Sequence, residues 1–243
     1  MEYDYIKLGD SYELIKDIPD KSIDLVIIDP PYEIVGGGSG GIFGVEHRQY
    51  HAEVKTLDYG IKNDILEQLV RVMKKINIYI WCNKNQLRQY IDFFGDLGAN
   101  VDLLTWHKTN PIPTCNNKYL SDTEYCLYFR EDGVKMYGSF DTKKKWWLTP
   151  LNTEDKKLWG GHPTIKPLSI IENLIVNSSQ EGDIVLDCFL GSGTTAVASK
   201  KLKRHYIGFE IEPKYYNIAI NRVNDITPEE SKTGQMNLFD FEE

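Results

Sequence analysis

Short apolar runs alternate along this chain with segments in which apolar residues recur every three to four positions. The runs are typical of buried strands, and the segments between them are typical of amphipathic helices. The predicted strands are Tyr5–Leu8, Ile23–Ile28, Ile76–Trp81, Val101–Trp106, Tyr125–Phe129, Asp183–Asp187 and His205–Phe209. Because strands that alternate with helices pair mostly in parallel, the pattern predicts an α/β fold with helices on both faces of a mostly parallel sheet.

The length of the chain fits one domain. Its 243 residues, of which 41% are apolar, can bury one core, and nothing in the pattern requires a second one. The periodic pattern ends near residue 226, so we predict a single domain over residues 1–226. Residues 227–243 read as a flexible tail.

Composition and charge argue against several classes of protein. No stretch approaches the ~20 apolar residues of a membrane span, and no apolar run follows the acidic start, so we expect an intracellular protein without a membrane partner. The net charge of −8 argues against a generally basic nucleic-acid-binding surface, although a local basic patch stays open. The four cysteines lie far apart, which favours reduced structural thiols over disulfides or a metal site.

A short polar turn stands directly after the apolar run Ile23–Ile28. It consists of Asp29, Pro30, Pro31 and Tyr32. We expect it at the carboxyl edge of the sheet, where α/β folds bind ligands. The carboxylate, the carbonyl of Pro30 and the aromatic ring provide two acceptors and a stacking face, which suit a planar base with an exocyclic amine, such as adenine. The alternative is that the tetrapeptide is only a rigid turn.

A second polar turn, Asp187–Thr195, follows another buried strand. Gly191 and Gly193 allow the backbone to approach a ligand closely, and the threonines after them place hydroxyl groups at the start of a helix. Glu210, at the end of the next strand, can accept hydrogen bonds from both hydroxyls of a ribose. A phosphate-binding Gly-Lys-Ser/Thr is absent from the turn, which favours a nucleoside cofactor without a pyrophosphate.

Together the two turns resemble the motifs of the amino DNA methyltransferases, which methylate exocyclic amines of adenine or cytosine with S-adenosylmethionine. An aspartate at position 29 resembles the adenine-N6 branch, since cytosine-N4 members usually carry serine there. The catalytic turn precedes the cofactor turn, an order that resembles the permuted β group. The resemblance spans about Ile6 to Val223 and implies a Rossmann-like methyltransferase fold with a seven-stranded, mostly parallel sheet.

The resemblance implies that an adenine is flipped out of double-stranded DNA and methylated on N6 without a metal. Catalysis is assigned to the turn Asp29–Tyr32. The implied cofactor-binding residues are Asp10, His162, Thr164, Lys166, Asp187, Phe189, Gly191, Ser192, Gly193, Thr194, Thr195 and Glu210. For Asp10, a role as a helix cap is an equal alternative. Rival functions are a cytosine-N4 enzyme, an RNA or protein methyltransferase, and a DNA-binding subunit without activity.

Two stretches and a set of individual residues are candidates for contacting DNA. Residues 33–60 form a Gly-rich loop that reads as a lid, or else as a disordered surface excursion. Residues 131–161 lose the hydrophobic period, and the resemblance implies a small target-recognition insertion there. The candidate DNA-binding residues are Lys108, Asn110, Lys143, Lys144, Lys145 and Trp146, with a solvated surface as the alternative. Because the insertion is small, we expect help from the long loop or from a second subunit in a homodimer.

The tail contains the pentapeptide Gln235–Phe239. It resembles the short motif by which bacterial replication and repair proteins dock on the sliding clamp. The alternative is that Leu238 and Phe239 fold back on the core. These features favour a bacterial or phage-encoded cytoplasmic protein that associates with the nucleoid and belongs to a restriction-modification system.

Overall fold

The computed structural model describes residues 1–32, 60–111, 113, 117, 119–151, 158–159 and 165–225. The strands in these residues are β1 (Tyr5–Leu8), β2 (Leu25–Ile28), β3 (Asn77–Cys82), β4 (Asn100–Lys108), β5 (Thr123–Arg130), β6 (Trp146–Thr149), β7 (Ile184–Asp187) and β8 (His205–Glu210). The helices are α1 (Ser11–Leu14), α2 (Asn63–Val72), α3 (Leu87–Asp96), α4 (Leu168–Ser178), α5 (Thr194–Lys201) and α6 (Pro213–Val223). A 3₁₀ turn, Ile15–Asp17, follows α1. None of the described helices is long and apolar enough to cross a membrane.

The described strands form one sheet in the order β1-β8-β7-β2-β3-β5-β4-β6. Neighbouring strands are parallel except at β3–β5 and β5–β4, so only β5 among them runs against the others. The carboxyl ends of the other strands therefore lie at one edge of the sheet, called the carboxyl edge below. The predicted mostly parallel sheet is confirmed.

The sheet contains eight strands instead of the seven expected, because Trp146–Thr149 adds β6 beside β4. Trp106 of β4 pairs with Trp147 of β6 in parallel register. β6 is four residues long, lies at the end of the sheet, and has no fully buried side chain. Its apolar run is only three residues long, Trp146 to Leu148, and directly follows three lysines, so the sequence pattern is interpreted as a DNA-binding surface and not as a strand. The interval 131–161, expected to be an insertion, thus contributes a strand to the sheet.

Helices cover both faces of the sheet, as predicted. Successive residues of a strand point to opposite faces, so one strand contacts helices on both sides. Ile28 of β2 belongs to an apolar cluster with Leu66 of α2 on one face. Ile27 belongs to a cluster with Ile171 of α4 on the other face. Full burial of a side chain of this size is worth about 1.5–3 kcal/mol. Since β2 is buried on both faces, it appears in the sequence as a continuous apolar run that ends at Asp29.

Candidate active site

Two polar turns meet at the carboxyl edge of the sheet. The turn 29–32 follows β2. Residues 188–193 of the second turn follow β7, because Asp187 ends β7 and Thr194 begins α5. The two strands are neighbours in which Val26 pairs with Leu186. Glu210 ends β8, which pairs with the other side of β7. The structure therefore brings the two turns and Glu210 together at the edge where α/β sheets bind ligands.

Asp29 is held by two side chains. Lys166 Nζ donates a hydrogen bond to Asp29 Oδ2 at 2.5 Å, and the Tyr32 hydroxyl donates to Asp29 Oδ1 at 3.0 Å. The Lys166 side chain is only 6% exposed. Its ammonium lies 5.1 Å from the ring centre of Trp81 and 5.6 Å from that of Tyr32. Both carboxylate oxygens of Asp29 thus have donors within the protein.

Glu124 belongs to the same cluster and was missed by the sequence analysis. Its Oε2 accepts from Lys166 Nζ at 3.1 Å, and its Oε1 accepts from Lys108 Nζ at 2.6 Å. The Tyr32 hydroxyl also lies 3.3 Å from Glu124 Oε2. Glu124 is the second residue of β5, and only the antiparallel direction of β5 brings that end of the strand to the carboxyl edge. The sequence offered one weak signal, a carboxylate directly before an apolar run.

The two lysines and two carboxylates of this cluster shift one another's ionisation. Burial raises the pKa of Glu124, but Lys166 and Lys108 outweigh burial and lower that pKa to about 2. Burial lowers the pKa of Lys166, but Asp29 and Glu124 outweigh burial and raise it above its ordinary value. Burial also raises the pKa of Asp29, and Lys166 opposes that rise. Lys166 is therefore the main group that favours the carboxylate form of Asp29, and the hydrogen bond from Tyr32 acts in the same direction.

The prolines of the first turn place an acceptor carbonyl beside Asp29. Gln86, buried next to the start of α3, donates from Nε2 to the carbonyl of Pro31 at 3.1 Å. Among the described residues, none donates to the carbonyl of Pro30. Pro31 has no amide hydrogen of its own. The Pro30 carbonyl and the Asp29 carboxylate can therefore accept the two hydrogens of one amine.

The second turn is a backbone cradle fixed by α6. Gly191 and Gly193 have φ angles of 55° and 86°, in the left-handed region that favours glycine. A Cβ on Gly193 would lie 2.8 Å from the Cβ of Ala219. Arg222, one turn further along α6, donates to the carbonyl of Ser192 at 2.8 Å and to its hydroxyl at 2.9 Å. Glycine is therefore needed here for both backbone geometry and close packing.

Two buried carboxylates border this cradle. Glu210 Oε2 accepts from the amide of Gly191 at 2.7 Å, and its Oε1 accepts from the amide of Glu212 at 2.8 Å. Asp187 Oδ1 accepts from the amide of Phe189 at 3.0 Å, and burial raises the pKa of Asp187 to about 7. Within the described residues, neither a lysine nor an arginine pairs with Asp187. The cradle therefore fits a ligand that brings hydroxyl groups to Glu210 and a positive charge to Asp187.

Comparison with known families agrees with this geometry. The family model of the DNA methylases, N6_N4_Mtase, matches residues 23–221, a span that includes both turns and Glu210. The chain belongs to the DNA methylase family. The family predicted from the two turns is confirmed.

The curated relatives of this DNA methylase include bacterial Type II methyltransferases. The chain is 33% identical over 238 residues to Type II methyltransferase M2.LlaDCHI of Lactococcus lactis subsp. cremoris, covering 89% of this chain and 87% of that protein. It is 30% identical over 237 residues to M2.DpnII of Streptococcus pneumoniae, covering 88% of this chain and 87% of that protein. The similarity therefore extends over nearly the whole length of each protein.

Solved structures share the fold of the DNA methylase. A complex of M1.HpyAVI with S-adenosylmethionine superposes with a TM-score of 0.68 at 27% identity, covering 90% of this chain and 98% of that chain. The cytosine-N4-specific PvuII DNA methyltransferase superposes with a TM-score of 0.73 at 18% identity, covering 100% of this chain and 94% of that chain. The second likeness shows the fold alone. The predicted methyltransferase fold is confirmed.

Several candidate cofactor residues have other contacts or lie outside the described residues. Asp10 Oδ1 accepts from the amide of Tyr12 at 2.9 Å and caps α1, so the structure shows the capping alternative, and a ligand role stays a prediction. Lys166 lies in the cluster around Asp29, on the catalytic side of the site. His162, Thr164, the loop at 33–59 and the tail are not among the described residues. Their assigned roles stay predictions.

The candidate DNA-binding residues fall into two places. Lys108 pairs with Glu124 inside the catalytic cluster, and the Asn110 side chain accepts from the amide of Leu151 at 2.7 Å.

The three lysines 143–145 precede β6 and lie away from the carboxyl edge. Lys143 donates to the Met136 carbonyl at 3.2 Å, Lys144 pairs with Asp141 at 3.0 Å, Lys145 pairs with Asp102, and Trp146 is 55% exposed. The structure does not bring these three lysines to the cluster around Asp29.

Proposed function

We propose that this DNA methylase transfers the methyl group of S-adenosylmethionine to the N6 amine of a flipped adenine in double-stranded DNA. Membership in the family makes the reaction methyl transfer to DNA. The observation that carries the choice of adenine is Asp29, a carboxylate at the carboxyl end of β2 and next to the second turn. In cytosine-N4 enzymes, a serine is usual at this position, and a cytosine-N4 activity is therefore the second candidate.

Asp29 and the Pro30 carbonyl form the acceptor pair for the target amine. The lone pair of an adenine amine is delocalised into the ring, so the amine is a poor nucleophile until its nitrogen becomes tetrahedral. Two acceptors aimed at its two hydrogens favour that geometry and hold the nitrogen in line for attack. Asp29 need not be a strong base, because the amine loses its proton easily only after it has been methylated. The ring of Tyr32 supplies a face on which the flipped base stacks.

The cradle at 188–193 suits S-adenosylmethionine. When bound, the cofactor supplies a methyl group activated by a sulfonium charge. Glu210 accepts hydrogen bonds from the ribose hydroxyls, and Asp187 pairs with the ammonium of the methionine part. Gly191 and Gly193 let the backbone approach the cofactor. The buried carboxyl of Asp187, which pairs with no lysine or arginine among the described residues, is the feature of this chain that best fits such a charged ligand.

Expression in a host that lacks DNA methylation tests this proposal. Mass spectrometry of nucleosides from the host DNA should show N6-methyladenine. Asp29→Ala should abolish the product. Asp92 on α3 is 63% exposed and, among the described residues, forms a surface ion pair with Arg88, so Asp92→Ala is the matched control that should retain activity. N4-methylcytosine in the same DNA would show that the second candidate, cytosine-N4 methylation, is the activity. If the DNA contains neither modified base, the proposed activity is contradicted.

We further propose two protein partners and a cellular location for this DNA methylase. Gln235–Phe239 docks on the bacterial sliding clamp and brings the enzyme to newly replicated DNA near the nucleoid, which raises its effective concentration there. A homodimer supplies additional DNA-binding surface, and the cytoplasm of a bacterial cell is the place of action, as part of a restriction-modification system. A tail peptide that fails to bind purified clamp would contradict the docking proposal.

A further inference from the structure

Glu124 is the acceptor that joins the two lysines of the catalytic cluster. It lies between Lys166, at 3.1 Å, and Lys108, at 2.6 Å, and its side chain is 14% exposed. The Lys108 side chain is 13% exposed and that of Lys166 is 6% exposed, so the three charges are largely removed from water. Buried ion pairs of this kind are costly to break, because the remaining charge is left without a counterion.

Lys166 competes with the target amine for Asp29. Its ammonium donates to Asp29 Oδ2, lies 3.4 Å from the Tyr32 hydroxyl, and lies above the ring of Tyr32. These are the acceptor and the ring that the proposed reaction assigns to adenine. When the amine bonds Asp29, the buried ammonium of Lys166 therefore needs another acceptor close by. Glu124 Oε2 is such an acceptor, and it already contacts the ammonium.

We propose that Glu124 is a positioning residue of the methyl transfer, which retains Lys166 beside Asp29 while Asp29 binds the target amine. This inference rests on the proposed function. Glu124 touches neither of the reacting atoms and acts through Lys166. Lys108 balances the second negative charge of the cluster, that of Glu124, and fixes the direction of its carboxylate. The arrangement lets Lys166 move its hydrogen bonds from one carboxylate to the other without leaving the site.

The charges around Asp29 predict opposite pH effects for two substitutions. The titratable and charged groups that surround Asp29 are Tyr32, Cys82 on β3, Lys108 on β4, Glu124 and Cys126 on β5, Lys166 before α4, and Asp187 on β7. Glu124 raises the pKa of Asp29, and Lys166 lowers it. Asp29 works as a carboxylate, so the methylation rate falls as the pH falls through the pKa of Asp29. Loss of Glu124 should therefore move the acid limb of the pH profile to lower pH, and loss of Lys166 should move it to higher pH.

The test compares Glu124→Gln, Glu124→Asp and Lys166→Met with the wild-type enzyme. Glu131→Gln is the matched control, since Glu131 follows the opposite end of β5 and its pairing with Lys75 is exposed. Turnover of Glu124→Gln should fall on the order of 10²-fold, because a neutral amide binds the ammonium of Lys166 more weakly than a carboxylate does, so Lys166 stays on Asp29 and blocks the amine. Binding of S-adenosylmethionine, measured by calorimetry, should change by less than about twofold. Glu124→Asp keeps the charge and should retain the wild-type acid limb.

Each outcome decides the inference. A lower kcat with unchanged cofactor binding, together with opposite shifts of the acid limb in Glu124→Gln and Lys166→Met, supports it. Wild-type turnover in Glu124→Gln, or an acid limb that moves the same way in both variants, overturns it. If Glu124→Gln does not fold, the pH profile of Glu124→Asp decides instead. An acid limb in Glu124→Asp at the same pH as in Lys166→Met overturns the inference. The product of the wild-type enzyme is identified in the same reactions, so a cytosine product would refute the proposed target base without affecting the comparison of rates.

Discussion

Lys166 Nζ lies 2.5 Å from Asp29 Oδ2, although 137 positions of the chain separate the two residues. Lys166 belongs to the polar segment before α4, and Asp29 belongs to the turn after β2. The contact joins a segment that the sequence analysis assigned to the cofactor with the turn assigned to catalysis. Charge balance at the catalytic carboxylate therefore depends on a distant part of the chain, and on Glu124, whose carboxylate also contacts Lys166.

Binding of S-adenosylmethionine should release a proton from Asp187. Burial raises the pKa of this carboxyl to about 7, so at pH 6 the free enzyme holds a proton there. An ammonium placed beside the group lowers its pKa, and the proton leaves on binding. Calorimetry at pH 6 in buffers with different ionisation enthalpies should give a binding enthalpy that depends on the buffer, and Asp187→Asn should remove that dependence. A buffer-independent enthalpy in the wild-type enzyme would show that Asp187 does not meet the cofactor's charge.

Substitution of Glu210 should weaken cofactor binding specifically. Glu210→Ala removes the acceptor at the end of β8, and the loss of a hydrogen bond to a charged group costs roughly 1.5–3 kcal/mol. Glu212→Ala, two residues further on at an exposed position, is the matched control and should bind as the wild-type enzyme does. Isothermal titration measures both. Equal affinities in the two variants, or tight binding of a nicotinamide or ATP instead, would contradict the assignment of the cradle.

Glycine should be required at position 193 for stability. Gly193→Ala forces a side chain into a left-handed backbone conformation and against Ala219, so the free energy of unfolding should fall by about 1–3 kcal/mol. Gly95→Ala is the contrasting variant, because Gly95 lies within α3 and an added Cβ meets nothing within 4 Å. That change should raise the free energy of unfolding by about 0.5–1 kcal/mol. Urea denaturation gives both values, and a Gly193→Ala protein as stable as the wild type would refute the packing argument.

The fold was largely predictable because most strands are buried on both faces. β2, β3 and β7 appear in the sequence as continuous apolar runs, and their ends place Asp29 and Asp187. β6 was not predicted, since its apolar run is only three residues long, directly follows three lysines, and lies at the end of the sheet without a buried side chain. Glu124 could not be predicted because its place at the carboxyl edge depends on the antiparallel direction of β5, which pairing in three dimensions decides.

Replacement of Lys143, Lys144 and Lys145 by alanine tests whether the surface before β6 binds DNA. These lysines make surface contacts with Met136, Asp141 and Asp102. Such pairs are worth about 0–1 kcal/mol, so phosphates can displace them. The triple variant should bind DNA of any sequence more weakly and with a flatter dependence on salt, since fewer counterions are released. A salt dependence equal to that of the wild-type enzyme would leave the three lysines as a solvated surface.

The most direct test of the central claim is the product that the purified enzyme makes with and without Asp29. Wild-type protein incubated with duplex DNA and S-adenosylmethionine should yield N6-methyladenine in a nucleoside digest. Asp29→Ala should yield less than about a tenth as much product per unit time, a barrier increase above ~1.4 kcal/mol, while still binding the cofactor. N4-methylcytosine from the wild-type enzyme, or more than a tenth of wild-type turnover in Asp29→Ala, would contradict the account.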